Sequence, residues 1–174
     1  MKREKELDKF DLKQLIGYSV DSEEKSKRFY GEFVESGKGQ LVPERFRSLM
    51  NDEELHKETL LGLHEELYGD RDYVVPQGED LPPHEDFDSL ENVENLLDAL
   101  GKAIVNENNA IRIYQYMEEE YGEYSDLFGY LVSMEKGHLE SLKEEKKLYE
   151  REANSTGKSG LLKDFWENIG LKGW

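Results

Sequence analysis

The chain has 174 residues, a formal net charge of −17, and equal shares of hydrophobic and charged residues, 36% each, which suits one globular domain rather than a disordered chain. The acidity argues against nucleic-acid binding, and no apolar run is long enough for a membrane span or a secretory signal, so we expect a cytoplasmic location. Cysteine is absent, which excludes disulfides and thiolate metal sites, so any metal must be held by oxygen and imidazole.

Helical periodicity dominates the first half of the chain. Residues 1–10 offer little to bury and are expected to form a loose arm or a frayed turn. A first helix is predicted from Asp11, a good N-cap, to Ser36. After a short connection, a second helix begins near Pro43 and reaches about Tyr68. Because that connection is short, the two helices should run antiparallel.

The second half repeats this arrangement after an acidic stretch rich in Pro and Gly, residues 69–88. We interpret this stretch as a crossover rather than a domain boundary, because neither half could shield its own apolar stripe. A third helix is predicted from near Ser89 to about Tyr121. A fourth follows Ser125 and frays around Glu150.

The predicted fold is therefore all-α: an antiparallel four-helix bundle over residues 1–150 with one long crossover. Residues 151–174 form a C-terminal tail. The tail is expected to be turn-like from Arg151 to Gly160, followed by a short amphipathic helix between Leu161 and Trp174.

Each half of the chain carries the same two motifs, a Glu followed seven residues later by Tyr and then a Glu-x-x-His. In a helix, residues three apart lie on one face, one turn above the other. The pairs are Glu23 and Tyr30, Glu53 and His56, Glu107 and Tyr114, and Glu135 and His138. Glu23 precedes Glu107 by 84 positions, and His56 precedes His138 by 82, so a helical hairpin has been repeated.

Four glutamates and two histidines on inward faces need compensation, because an unpaired buried carboxylate costs on the order of several kcal/mol. No inward Lys or Arg apart from Lys27 is available to balance them. Two divalent cations would neutralise four carboxylates, and a mixed oxygen and nitrogen shell suits iron or manganese better than structural zinc. Di-iron and di-manganese carboxylate bundles have this arrangement. The expected ligands, which are also the expected catalytic residues, are Glu23, Glu53, His56, Glu107, Glu135 and His138.

Over roughly residues 11–150 the chain resembles the rubrerythrin family of ferritin-like di-iron proteins. The matching stretches are Val20-x-x-Glu23 with Phe29-Tyr30, Glu53-x-x-His56, Ala103-Ile104-x-x-Glu107-x-x-Ala110 with Tyr114, and Glu135-x-x-His138. The resemblance implies that Glu53 and Glu135 bridge the metals and that Glu23 and Glu107 are terminal ligands. It also implies that Tyr30 and Tyr114 hydrogen-bond the ligand carboxylates and orient them.

The sequence departs from rubrerythrin at two points. Rubrerythrin carries a further Glu one turn after the third-helix ligand, where this chain has Ala110, so the iron movement associated with peroxide reduction does not carry over. Rubrerythrin also has a cysteine-bound rubredoxin module, which this cysteine-free chain cannot form. Electrons would then come from an external donor, either a rubredoxin-like protein or a reductase.

The resemblance implies a di-iron oxidoreductase that reduces peroxide or oxygen, with a role in oxidative stress. Two iron ions are expected, with manganese or a mixed pair as alternatives. A ferroxidase or iron-handling protein would instead predict more than two irons per chain and a higher-order assembly. A di-iron hydroxylase would need an apolar substrate channel, and a structural metal staple is a weaker alternative. We expect a homodimer, His64 at the surface or rim, and His84 in a structural or idle position.

Overall fold

Four long helices dominate the computed structural model, which describes residues 4–35, 42–76, 81–86 and 93–156. They are α1 (Leu12–Glu35), α2 (Val42–Tyr68), α3 (Val93–Glu120) and α4 (Ser125–Thr156). The described residues contain no β-strand, so the all-α prediction is confirmed. None of the described helices is long and apolar enough to cross a membrane. The predicted helix starting at Ser89 and the predicted C-terminal helix of the tail begin outside the described residues.

The ends of the first two helices follow from local chemistry. Gln14 N donates to Asp11 Oδ1 over 2.9 Å, and Asp11 N donates to Gln14 Oε1 over 3.0 Å. This reciprocal capping satisfies two backbone donors that no helical carbonyl reaches, so Asp11 is the N-cap that the sequence predicts. At the end of α2, Gly69 adopts φ +86° and its N–H donates to Glu65 O over 2.9 Å.

Ion pairs show that α1 and α2 run antiparallel. Lys27 Nζ lies 2.6 Å from Glu54, and Lys57 Nζ lies 2.9 Å from Glu24. Residue numbers therefore rise along α1 as they fall along α2. These pairs also explain how Lys27 is accommodated, because its ammonium reaches a half-exposed rim and pairs with Glu54. A single 3-10 turn, Gly122–Tyr124, joins α3 to α4.

Two apolar clusters fill the interior of the bundle. Members of the first include Ile16, Val20, Leu60, Leu63, Ile111 and Leu131. Members of the second include Phe29, Phe33, Phe46, Leu49, Leu100 and Leu142. On α1, Glu23 lies between Val20 of the first cluster and Phe29 of the second. The bundle is therefore apolar toward both ends and polar in the layer between them.

The described part of the crossover is attached to both α1 and α3. On α1, Tyr18 Oη donates to Pro82 O over 2.7 Å. On α3, the Asn106 amide accepts from Glu85 N over 2.8 Å and donates to Glu85 O over 2.9 Å. The Asn106 side chain thus pairs with the crossover backbone as a neighbouring strand would. The described part of the crossover therefore lies against these two helices.

Two sequence-based expectations about the chain ends are wrong. The described part of the first ten residues is not a loose arm: Glu4–Lys9 forms a 3-10 helix, and Leu7 is fully buried in the first apolar cluster. The fourth helix does not fray at Glu150 but continues to Thr156, which replaces the turn expected after that point. Tyr149 explains this extension, because its burial in the second cluster anchors the last turns of α4.

Candidate metal centre

A polar layer crosses the bundle between the two apolar clusters. Helices α1 and α3 each contribute one Glu to it, and α2 and α4 each contribute a Glu and a His one helical turn apart. Each of these residues exposes 5% or less of its surface. The six residues are Glu23, Glu53, His56, Glu107, Glu135 and His138.

His56 directs one ring nitrogen at three carboxylates. Its Nδ1 lies 2.9 Å from Glu135 Oε1, 3.4 Å from Glu53 Oε2 and 3.7 Å from Glu23 Oε2. The imidazole thus contacts Glu53 and Glu135, the two central glutamates, and Glu23, the outer glutamate of α1.

His138 repeats this geometry from the opposite helix. Its Nδ1 lies 3.1 Å from Glu135 Oε2, 3.3 Å from Glu53 Oε1 and 3.8 Å from Glu107 Oε2. Its ring stacks on that of His56, with centroids 5.4 Å apart. The two central glutamates are shared, and each histidine adds one outer glutamate of its own.

Two buried tyrosines hold the outer glutamates from across the bundle. Tyr30 on α1 donates to Glu107 on α3, and Tyr114 on α3 donates to Glu23 on α1. Each hydroxyl therefore fixes the carboxylate carried by the other helix. A hydrogen bond of this kind orients a carboxylate that binds a metal.

Burial and mutual repulsion divide the four carboxyl groups into two kinds. Burial raises the pKa of Glu23 and of Glu107 well above the usual range, and the neighbouring carboxylates raise it further. Burial also acts to raise the pKa of Glu53 and of Glu135. In these two central groups, hydrogen bonds with neighbouring acids and imidazoles outweigh burial, and the pKa lies below the usual range.

Burial and the neighbouring carboxylates also shift the pKa values of the two imidazoles. Burial acts to lower the pKa of His138, but hydrogen bonds to Glu135 and Glu53 raise it to about 10. Burial also acts to lower the pKa of His56, but its close contacts with the Glu135, Glu23 and Glu53 carboxylates outweigh burial and raise it. Without metal, two protonated imidazoles therefore balance two ionised carboxylates near pH 7.

Several buried polar atoms in this layer have no hydrogen-bond partner. They are Glu53 Oε1, Glu135 Oε1, His138 Nε2 and both ring nitrogens of His56. One ligand atom from each of these four residues can be chosen so that all lie within 4.8 Å of one another. Converging oxygen and nitrogen donors of this kind suit iron or manganese. The residues present therefore fit a pair of divalent metal ions.

The two remaining histidines lie outside this layer. The expectation that His64 lies at the surface or rim is wrong, because it is fully buried. It sits one turn after Leu60 on the buried stripe of α2, and its Nδ1 donates to Asp70 O over 2.7 Å. His84 Nε2 lies 3.2 Å from Ser26 Oγ, which gives it a contact between the crossover and α1.

Asp52 is not among the residues that the repeated motifs indicate. Its Oδ2 lies 3.5 Å from His138 Nε2, on the side of the ring away from the carboxylate cluster. The signal in the sequence is its position directly before Glu53. On a helix, the side chain of a residue adjacent to an inward-facing one points sideways, toward a neighbouring helix.

The fold and this layer define a ferritin-like four-helix bundle with a buried Glu and His cluster that could hold metal. The rubrerythrin family model matches residues 14–146, and the chain belongs to the rubrerythrin family. Among solved structures it is similar to a hypothetical protein from Pyrococcus furiosus, with 26% sequence identity and a TM-score of 0.77. That match covers 85% of this chain and 96% of the other. No match was found among curated proteins.

Proposed function

We propose that this protein is a di-iron oxidoreductase that reduces peroxide or oxygen with electrons from an external donor. The observation that carries the proposal is the buried layer of four glutamates and two histidines with unpartnered ligand atoms. Membership of the rubrerythrin family supports it, because that family includes oxidoreductases. None of the 174 residues is a cysteine that could hold a thiolate-bound electron carrier, so the proposal takes the electrons from a donor outside these residues.

The contacts suggest how the ligands divide between two metal ions. Two metal ions would be held by two groups of residues, Glu23 with His56 and Glu107 with His138, and both groups contact Glu53 and Glu135. Two ferrous ions held there would supply the two electrons that, with two protons, reduce one hydrogen peroxide to two waters.

The surrounding residues position the ligands and exclude water. The Tyr30 and Tyr114 hydroxyls hold the outer carboxylates in place. Apolar clusters on both sides keep the layer dry, which strengthens the electrostatic interactions inside it. At position 110, where rubrerythrin has another Glu, Ala110 packs against the first apolar cluster. The proposed reduction therefore uses the six residues of the layer, with four carboxylates and no fifth.

The test is rapid mixing of anaerobic protein, loaded with two ferrous ions per chain, against peroxide or oxygen. We expect peroxide to oxidise both ions quickly, with one peroxide consumed per chain. Glu53→Gln should abolish this reaction, whereas Glu54→Gln on the same helix should leave it unchanged, because Glu54 lies at the rim with Lys27 and Lys57.

Other outcomes would identify the alternatives. Fast oxidation by oxygen with more than two irons retained per chain, in a large assembly, would indicate a ferroxidase or iron-handling protein. Oxygen consumption that depends on an added apolar substrate would indicate a hydroxylase. Light scattering after size exclusion would also test the predicted homodimer.

A further inference from the structure

The two halves of the polar layer differ at the outer nitrogens of the histidines. His138 Nε2 has the Asp52 carboxylate 3.5 Å away. The described carboxylates near His56 approach it at Nδ1 and not at Nε2. Neither histidine has a hydrogen-bond partner at Nε2, so the difference between the two halves is the nearby Asp52 carboxylate. The internal repeat explains the difference, because position 134, which lies 82 residues after Asp52, holds Met134. The acid that serves one histidine thus has an uncharged residue as its counterpart in the other half.

A carboxylate beside Nε2 changes the properties of the imidazole as a metal ligand. When Asp52 accepts a hydrogen bond from Nε2, the ring proton stays on Nε2, and the Nδ1 lone pair faces the central glutamates. Such a bond fixes the ring orientation and raises the basicity of the ligating nitrogen, and its loss lowers metal affinity by about 10- to 100-fold. The present 3.5 Å separation is about 0.5 Å longer than an ordinary N–H···O bond, and the Asp52 side chain is 33% exposed.

We propose that Asp52 makes the two metal positions unequal, so that the position at His138 binds a divalent cation more tightly and fills first. This inference rests on metal binding at the proposed site but not on the reaction carried out there. Asp52 acts as a positioning residue, since it contacts the imidazole and not the metal. A protein built from a repeated hairpin would otherwise present two nearly equivalent positions.

The test is an anaerobic titration of the metal-free protein with Co²⁺, followed by calorimetry and by the visible absorption of bound cobalt. The wild-type protein should bind two ions in steps whose affinities differ by about 10- to 100-fold. Asp52→Asn should weaken the tighter step by that factor, merge the two steps and change the cobalt spectrum of the first. Asp52→Glu should restore part of the separation, because it retains a carboxylate.

Met134→Asp places a carboxylate at the equivalent position of the other half and should strengthen the weaker step. Asp98→Asn is the matched surface control, because Asp98 pairs with Lys102 on the exposed side of α3, and it should change neither step. Circular dichroism of each metal-free variant checks that the bundle is intact.

Two equal wild-type affinities, or equal weakening of both steps by Asp52→Asn, would overturn this inference while leaving the proposed function standing. A wild-type protein that binds no Co²⁺ would overturn both. Two unequal steps in a protein that does not react with peroxide or oxygen would overturn only the proposed reaction.

Discussion

Glu53 and Glu135 are buried acids whose position is tolerable only with positive charge nearby. In the absence of metal, that charge comes from protonated His56 and His138, whose pKa values are raised. Burial and the neighbouring carboxylates raise the pKa of the outer glutamates well above the usual range, which favours their neutral form. The same layer would be neutral with two divalent cations, four ionised carboxylates and two neutral imidazoles. Protons and metal ions therefore compete for one set of atoms.

This competition predicts proton release on metal binding. Near pH 7, saturation of the wild-type protein with two divalent ions should release protons, because the raised pKa values of Glu23, Glu107, His56 and His138 favour their protonated forms in the metal-free protein. Metal affinity should consequently fall as the pH is lowered. Calorimetry in two buffers with different ionisation enthalpies measures the release directly. Binding enthalpies that are identical in both buffers would contradict this charge balance.

The tyrosines give a second prediction for single residues. Tyr30→Phe leaves the buried Glu107 without its donor, so the free energy of unfolding of the metal-free protein should fall by about 1–3 kcal/mol. Tyr114→Phe should have a similar effect through Glu23, because the two contacts are equivalent. Urea denaturation measures both changes.

The matched control for the tyrosines is Tyr116→Phe. The Tyr116 hydroxyl donates to Asp8 in an exposed contact, so the change should stay within about 0.5 kcal/mol. Equal losses in the control and in the buried variants would argue against a special role for the buried hydroxyls.

The repeat in the sequence indicates the six acidic and imidazole residues of the layer, because helical spacing places each pair on one face. It does not indicate Asp52 or the buried His64. Asp52 reaches His138 only through the arrangement of α2 beside α4, and His64 finds its acceptor in a backbone carbonyl beyond the helix end. A linear sequence does not encode either distance.

At the scale of elements, the close approach of α1 to the crossover depends on one missing side chain. A Cβ at Gly17 would lie 2.4 Å from Val74 O, so Gly17→Ala requires the crossover or the helix to shift. We expect a loss of about 1–3 kcal/mol in the free energy of unfolding, as for other overpacked sites. Thermal and urea denaturation measure this loss.

Gly62→Ala is the control for that prediction. Gly62 lies on an exposed part of α2 with nothing within 4 Å of an added Cβ, so the substitution should stabilise the helix by about 0.5–1 kcal/mol. If Gly17→Ala were stabilising to the same extent, the packing of the crossover against α1 would be wrong.

Helix locations could be predicted because caps and turn residues are local signals. The capping box of α1 is an example, since Asp11 and Gln14 are three residues apart. The ends set by tertiary contacts could not be predicted. Leu7 orders the first residues by burial against the bundle, and Tyr149 keeps α4 helical, although the flanking sequences are polar.

For the whole molecule, the repeat and the single long crossover predict the bundle and its polar middle layer. They do not predict that Tyr30 and Tyr114 each serve the glutamate of the other helix, because that depends on which helices are neighbours. The result is a bundle in which two apolar clusters provide the cohesion and the layer between them concentrates charge. For this layer, we propose that paired cations compensate the buried carboxylates.

The most direct test measures metal stoichiometry and the free energy of unfolding together, on anaerobic protein with and without Fe²⁺. We predict two ions per chain and, with free metal at 100 times the dissociation constant, a stabilisation of at least about 2.7 kcal/mol. The double variant Glu53→Gln, Glu135→Gln should lose both the ions and the stabilisation. A wild-type protein that retains no divalent metal, or unfolds at the same urea concentration with and without it, would contradict the account.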